Sequence, residues 1–132
     1  MNTTYFNNLI LNHTFGVSQT PNVLPTSYWI GLSSTTPTVA GGNTTEPNTA
    51  AGYSRVKISG ALSGATGGVL KNSGVVEFSE STGAWGVVTH VCVWDAKEGG
   101  TLLAFEALSP SRTIEEKSTL MFKAGQLSIS LK

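Results

Sequence analysis

Hydrophobic positions along the chain change period once, and the change divides it. After Thr3 or Thr4, either of them a good helix N-cap, apolar residues fall at Tyr5, Phe6, Leu9 and Ile10, with His13 continuing the same face. That spacing predicts a short amphipathic helix ending near Gly16. A helix of about ten residues is marginal alone in water, so this one has to dock on its own domain or on a neighbour. From Tyr28 the period is two: Tyr28, Ile30 and Leu32 alternate with Trp29, Gly31 and Ser33, which predicts a strand. The stretch 34–52, "STTPTVAGGNTTEPNTAAG", carries too many prolines and paired glycines for regular structure and reads as a long exposed loop.

Further strands are predicted over "YSRVKIS" (53–59), "VVEF" (75–78), "WGVVTHVCVWD" (85–95), "TLLAFEAL" (101–108), "TLMF" (119–122) and "QLSISL" (126–131). In the first of these Tyr53, Arg55 and Lys57 form a polar face, and Ser54, Val56 and Ile58 face the core. The loop "AKEGG" between 95 and 101 has the glycines of a hairpin turn. In the strands it joins, alternation groups Val91, Val93, Leu103 and Phe105 against Cys92, Trp94, Leu102 and Ala104, and places Val88 and His90 with Cys92 and Trp94. Both faces are partly apolar, as in a strand covered on both sides. Seven or eight short strands at regular spacing after one helix predict a mainly β protein, an antiparallel β-sandwich or jelly roll with a short N-terminal helix. At 132 residues the chain has room for one domain, with 1–16 as helix or anchor.

Composition narrows the function. Formal net charge is +0 from 8 basic and 8 acidic residues, so no global field favours nucleic acid or anionic lipid. Charged residues are 12 % of the chain, about half the usual share. A weakly charged polar surface suits a protein whose neighbours bury much of it; a Ser/Thr-rich secreted β protein has the same composition. No segment has the roughly 20 apolar residues of a membrane span. The N-terminal stretch lacks the basic region and cleavage site of a signal peptide, which points to a chain beginning near Met1 and made in a cytoplasm.

No catalytic constellation emerges. His90 and Cys92 are two apart on one strand, about 6–7 Å from each other, too far for a nucleophile–base bond. His13, His90, Cys92 and Asp95 have no metal-ligand spacing. "GATGGVLKNS" (64–73) fails the phosphate-loop pattern, and Glu115–Glu116 reads as a solvated turn. The expected cofactor and metal content is therefore none. Trp94 reads as core. The remaining prominent apolar side chains, Tyr5, Phe6, Leu9, Trp29 and Trp85, are candidate interface or anchor residues, with sugar stacking by Trp29 or Trp85 as the alternative.

Several segments in order, the helix, "YWIGLSSTTPT", "GYSRVKIS", "NSGVVEF", "STGAWGVVTHVCVWDA", "GGTLLAFEALS" and "AGQLSISL", resemble a family of small virion proteins of tailed bacteriophages, tail fibre or structural proteins. Trp29, Gly31, Leu32 and Pro37 carry its first motif, and Gly52, Tyr53 and Arg55 its second. Trp85, Gly86, Thr89, His90 and Asp95 carry its third, and Gly99, Gly100, Leu102 and Leu108 its fourth. The chain departs from the family's pattern at "EEKST", where members have a Gly-Asp turn, and in the Thr- and Asn-rich loop 34–52. The resemblance implies a non-enzymatic component of the virion, made in the bacterial host cytoplasm. It would be an oligomer, expected as a homotrimer, and would contact other virion proteins of capsid or tail. Tail fibre, capsid decoration (cement) and head fibre all fit. A carbohydrate-binding module recognising a host surface glycan is the alternative; neither nucleic acid nor membrane is an expected partner.

Overall fold

A computed structural model describes residues 1–130. Helix α1 (Thr4–Thr14) starts where Thr3 caps it, the hydroxyl accepting from the Phe6 amide. The remaining elements are strands: β1 (Trp29–Ser33), β2 (Val56–Lys57), β3 (Val69–Lys71), β4 (Val76–Glu77), β5 (Gly86–Trp94), β6 (Leu102–Ile114), β7 (Met121–Phe122) and β8 (Ser128–Ser130), with one 3-10 turn at Thr49–Ala51. The protein is thus mainly β with a short N-terminal helix. Every pairing is antiparallel: a four-stranded sheet ordered β2-β1-β5-β6, and two-stranded sheets β3-β8 and β4-β7.

The four-stranded sheet is covered on both faces. Cross-strand partners share a face, so Ile30 opposite Val93 and Leu32 opposite Val91 mark the first. These residues pack with Tyr53, Phe78, Trp85, Val88, Ile114 and Phe122. Trp29 opposite Trp94 and Gly31 opposite Cys92 mark the second, where Cys92, Trp94, Leu102 and Phe105 cluster. Two irregularities overturn the simple alternation expected of the hairpin. Between Val93 and Trp94 the register slips, with Val93 opposite Ala104 but Trp94 opposite Leu102. Leu103 is the extra residue, so Phe105 lands with Cys92 and Ala104 with Val93. The second slip leaves Thr89 alone against 108–111 and puts Val88 on the first face, not with Cys92.

Segment 53–59 also departs from its expected pattern. Tyr53 and Arg55 are buried, and only Lys57 of the supposed polar face is exposed. Only Val56–Lys57 pair as strand, and the Arg55 guanidinium bonds to groups outside the sheet. Loop 34–52 is largely exposed but closes on itself. The Ser34 amide donates to the Thr45 carbonyl, the Thr45 amide to Ser33 Oγ, and Asn43 Nδ2 to the Thr36 carbonyl. Strand β3 lies in a stretch too short and Gly-rich to signal a strand. Strand β6 runs six residues past the expected end at Leu108, through Pro110. As the outer strand of its sheet, it can carry a proline where no N–H is required.

Candidate functional site

The most constrained polar group in the molecule is Arg55. Its guanidinium donates from Nε to Glu46 Oε1 at 3.0 Å and from Nη1 to the carbonyls of Ala96 and Gly99, both at 2.8 Å. It also lies over the Trp94 ring, 3.8 Å from the centroid. One planar fork thus joins loop 34–52, the approach to β2 and the β5–β6 turn, which is what a rigid donor array does best. The turn is shaped from its other side by Asp95, whose Oδ1 accepts from the Thr101 amide at 2.7 Å. Tyr53, two residues before Arg55, donates no ladder bond; its hydroxyl accepts from the Leu32 amide at 2.9 Å. Burial and the Glu46 charge raise the pKa of that phenol far above its ordinary value.

The neighbouring thiol is covered. Cys92 is 1 % exposed, and burial, reinforced by the Glu46 charge, pushes its pKa up to about 12. A thiol held neutral and covered is no nucleophile. His90 Nδ1 is engaged with Thr89 Oγ1 at 2.8 Å, and the ring meets Phe105 edge-on. Among the described residues no three His, Cys, Asp or Glu side chains could hold a metal ion, and no helix is long and apolar enough to cross a membrane.

The five expected interface residues separate. Leu9 is fully buried, and Trp85 is 7 % exposed with its indole N–H donating to the Ala51 carbonyl at 2.9 Å. Both are packing residues of this chain and not surface anchors. Trp85 meets Tyr53 edge-on, with ring centroids 5.4 Å apart, and that contact draws it inward. Trp29 is half-buried against the second cluster, its N–H held by Ser27 Oγ. Neither tryptophan assigned to sugar stacking is exposed. Phe6 is half-buried and Tyr5 is exposed. Helix α1 docks within its own chain: Thr3 Oγ1 donates to the Leu102 or Leu103 carbonyl, the Thr4 amide to the Val39 carbonyl, and Leu9 faces inward.

Several exposed large hydrophobic side chains lie just after the helix, where no interface residue was expected. Phe15, Val17, Val23 and Leu24 are 74, 43, 79 and 39 % exposed, and Leu11 joins them at 55 %. The backbone beneath is held firmly. Asn12 Nδ2 donates to the Pro21 carbonyl, Asn22 Nδ2 to the Val17 carbonyl, the Val17 amide to the Asn12 carbonyl, and His13 Nδ1 meets the Asn22 carbonyl at 3.1 Å. Segment 15–24 is therefore a hook tied back to α1 with its hydrophobic side chains outward. A sequence signal accompanies it: no Asp, Glu, Lys or Arg occurs before Glu46, so all 8 basic and 8 acidic residues fall in the remainder. Average composition concealed that asymmetry.

A second apolar feature is a cleft of about 490 Å³ between the first face of the large sheet and the β3-β8 pair. Ile30, Val91 and Val93 form one wall and Ile58, Leu62 and Ile129 another. Asn2, Asn7 and Ser128 also line it, and so do Glu106 and the Met1 ammonium, which pair at 3.3 Å.

No curated protein matches the chain. The family model described as podophage GP4 fiber I protein gp80 matches residues 1–130. The chain therefore belongs to this family of podophage fibre proteins.

Proposed function

We propose that this protein is a non-enzymatic, self-associating fibre component on the virion surface, made in the host cytoplasm and assembling as a homotrimer that attaches to other virion proteins. The observation that carries the reading is the firmly held apolar hook, Phe15 to Leu24, within a segment without charged side chains. Large exposed apolar patches mark contact sites, and charge is depleted from interface cores. A hook already ordered by its own hydrogen bonds loses little conformational freedom on binding. The family description favours fibre over capsid cement.

Sedimentation equilibrium over a hundred-fold concentration range tests the assembly, with a mass three times the 13.8 kDa of one chain as the expected result. Gold labelling of a tagged copy in intact particles tests the location. Label at the tail is expected; label over the capsid would make the protein a decoration instead.

A further inference from the structure

We propose that residues 1–24 form a detachable strap: the extended start Met1 to Thr3, helix α1 and the hook leave the body as one unit and bare the outer edge of β6, while the rest of the fold stays closed. This is a property of the single chain and stands apart from the assembly proposed above.

The body is complete without the strap. Neither hydrophobic cluster contains a residue before Tyr28. Leu9 and Leu103 are both fully buried yet belong to neither cluster, and α1 packs against β6. Across the seam the Thr3 amide donates to the Leu103 carbonyl and the Phe105 amide to the Met1 carbonyl, both at 2.8 Å, with Asn2 opposite Ala104. The Thr3 hydroxyl donates to the Leu102 or Leu103 carbonyl, the Thr4 amide to that of Val39 and Asn2 Nδ2 to that of Ser130.

Within the strap, each part holds the next. The Thr3 hydroxyl that grips β6 also accepts from the Phe6 amide, so the edge contact and the helix start are lost together. Asn12, His13 and Asn22 fasten the hook to the end of α1. On the side of the body, residues 23–26 make no hydrogen bond among the described residues. The chain is tied again only where Ser27 Oγ accepts from the Trp29 indole and the Tyr28 amide donates to Ser59 Oγ. Four untied residues extend to about 13 Å, enough to let the strap lift without pulling on β1. Lifting it removes the Met1, Asn2 and Asn7 side of the apolar cleft and leaves the Leu103 carbonyl and the Phe105 amide open at a sheet edge.

Native-state hydrogen exchange on the full chain tests it. A helix as short as α1 is marginal once undocked, so its amides exchange when the strap lifts. The amides of Thr3, Asn7, Val17 and Phe105, one from each part of the strap and one from the edge it covers, are expected to share a single rate, faster than that of the β1–β5 ladder. Leu9→Ala is expected to speed these four by about 30-fold or more. The urea midpoint followed by tryptophan fluorescence is expected to stay where it is, since Trp29, Trp85 and Trp94 all lie in the body. Asn2 and Ala104 are a non-hydrogen-bonded pair, with Cα atoms about 4.5 Å apart, within disulfide reach. Oxidised Asn2→Cys/Ala104→Cys is expected to slow all the strap amides to the rate of the ladder, and reduction to restore them. Exchange of the four wild-type amides at unrelated rates, or at the rate of the ladder, overturns the proposal. So does a midpoint that falls in Leu9→Ala, or fast exchange at Asn7 and Val17 that survives the disulfide.

Discussion

Arg55, expected within a strand and on its polar face, lies just before β2 and is buried. Alternation with Lys57 marks it as solvent-facing, but the half-buried Glu46 carboxylate, two carbonyls and an indole face compensate its charge, and the nearest of these partners in sequence is nine residues away. Glu46→Gln leaves that guanidinium buried without its counter-ion, and chemical denaturation is expected to register a loss of about 3 kcal/mol. Trp94 lies under it at 7 % exposure, and Trp94→Ala is expected to cost about 3 to 5 kcal/mol. Gly31 is confined from both sides: a Cβ there would stand 2.9 Å from the Tyr53 hydroxyl and 3.0 Å from Trp94 Nε1. Gly31→Ala should therefore destabilise by about 1 to 3 kcal/mol, measured by the same denaturant midpoint. For Cys92, the folded pKa near 12 lies above the unbound value of 9.0. The unfolded chain can ionise while the native one resists, so stability is whole below pH 9 and falls as pH rises toward 12. Urea titrations at pH 8 and pH 10.5 check the sign. Thiol reagents at pH 8 should leave the native protein unlabelled and label it once unfolded.

Elements were legible where their period was long and unbroken. Thr3 with Tyr5, Phe6, Leu9 and Ile10 placed the start of α1 within a residue and its end within two, and the alternation from Tyr28 placed β1. The hairpin was found, but its facing residues were not, because a single extra residue, Leu103, reverses the phase of all that follow it. No local signal distinguishes that slip from regular alternation; it is decided by Trp94 and Leu102 meeting over the second cluster. Strand β3 escaped notice since three residues beside Gly67 and Gly68 have no period to read. Deleting Leu103 would leave Trp94 opposite Leu102, Val93 opposite Ala104 and Cys92 opposite Phe105 in an unbroken ladder, but would remove a fully buried side chain and the carbonyl that accepts from the Thr3 amide. A cooperative thermal transition is expected to broaden or vanish in that variant, followed by near-UV circular dichroism.

For the molecule as a whole, the sequence made the fold class and the virion family readable, the second through ordered motifs spanning nearly the whole chain. The exposed apolar segment was not readable from residue type, because Trp85, one of the two best anchors by chemistry, is taken into the interior and Trp29 is half-buried. What distinguishes Phe15 and Val23 is that nothing inside the chain covers them, a property of the assembled fold. The absence of charge before Glu46 was visible from the outset and is the one sequence feature that points to the same third of the chain. The Arg55 fork has a kinetic consequence as well. Glu46, Arg55, Ala96 and Gly99 come together only when loop 34–52, β2 and the β5–β6 turn are all in place, so none of these bonds can reward a partly ordered chain. Opening any one segment releases the other two, and the amides of all three should exchange with deuterium at a common rate, as one cooperative unit.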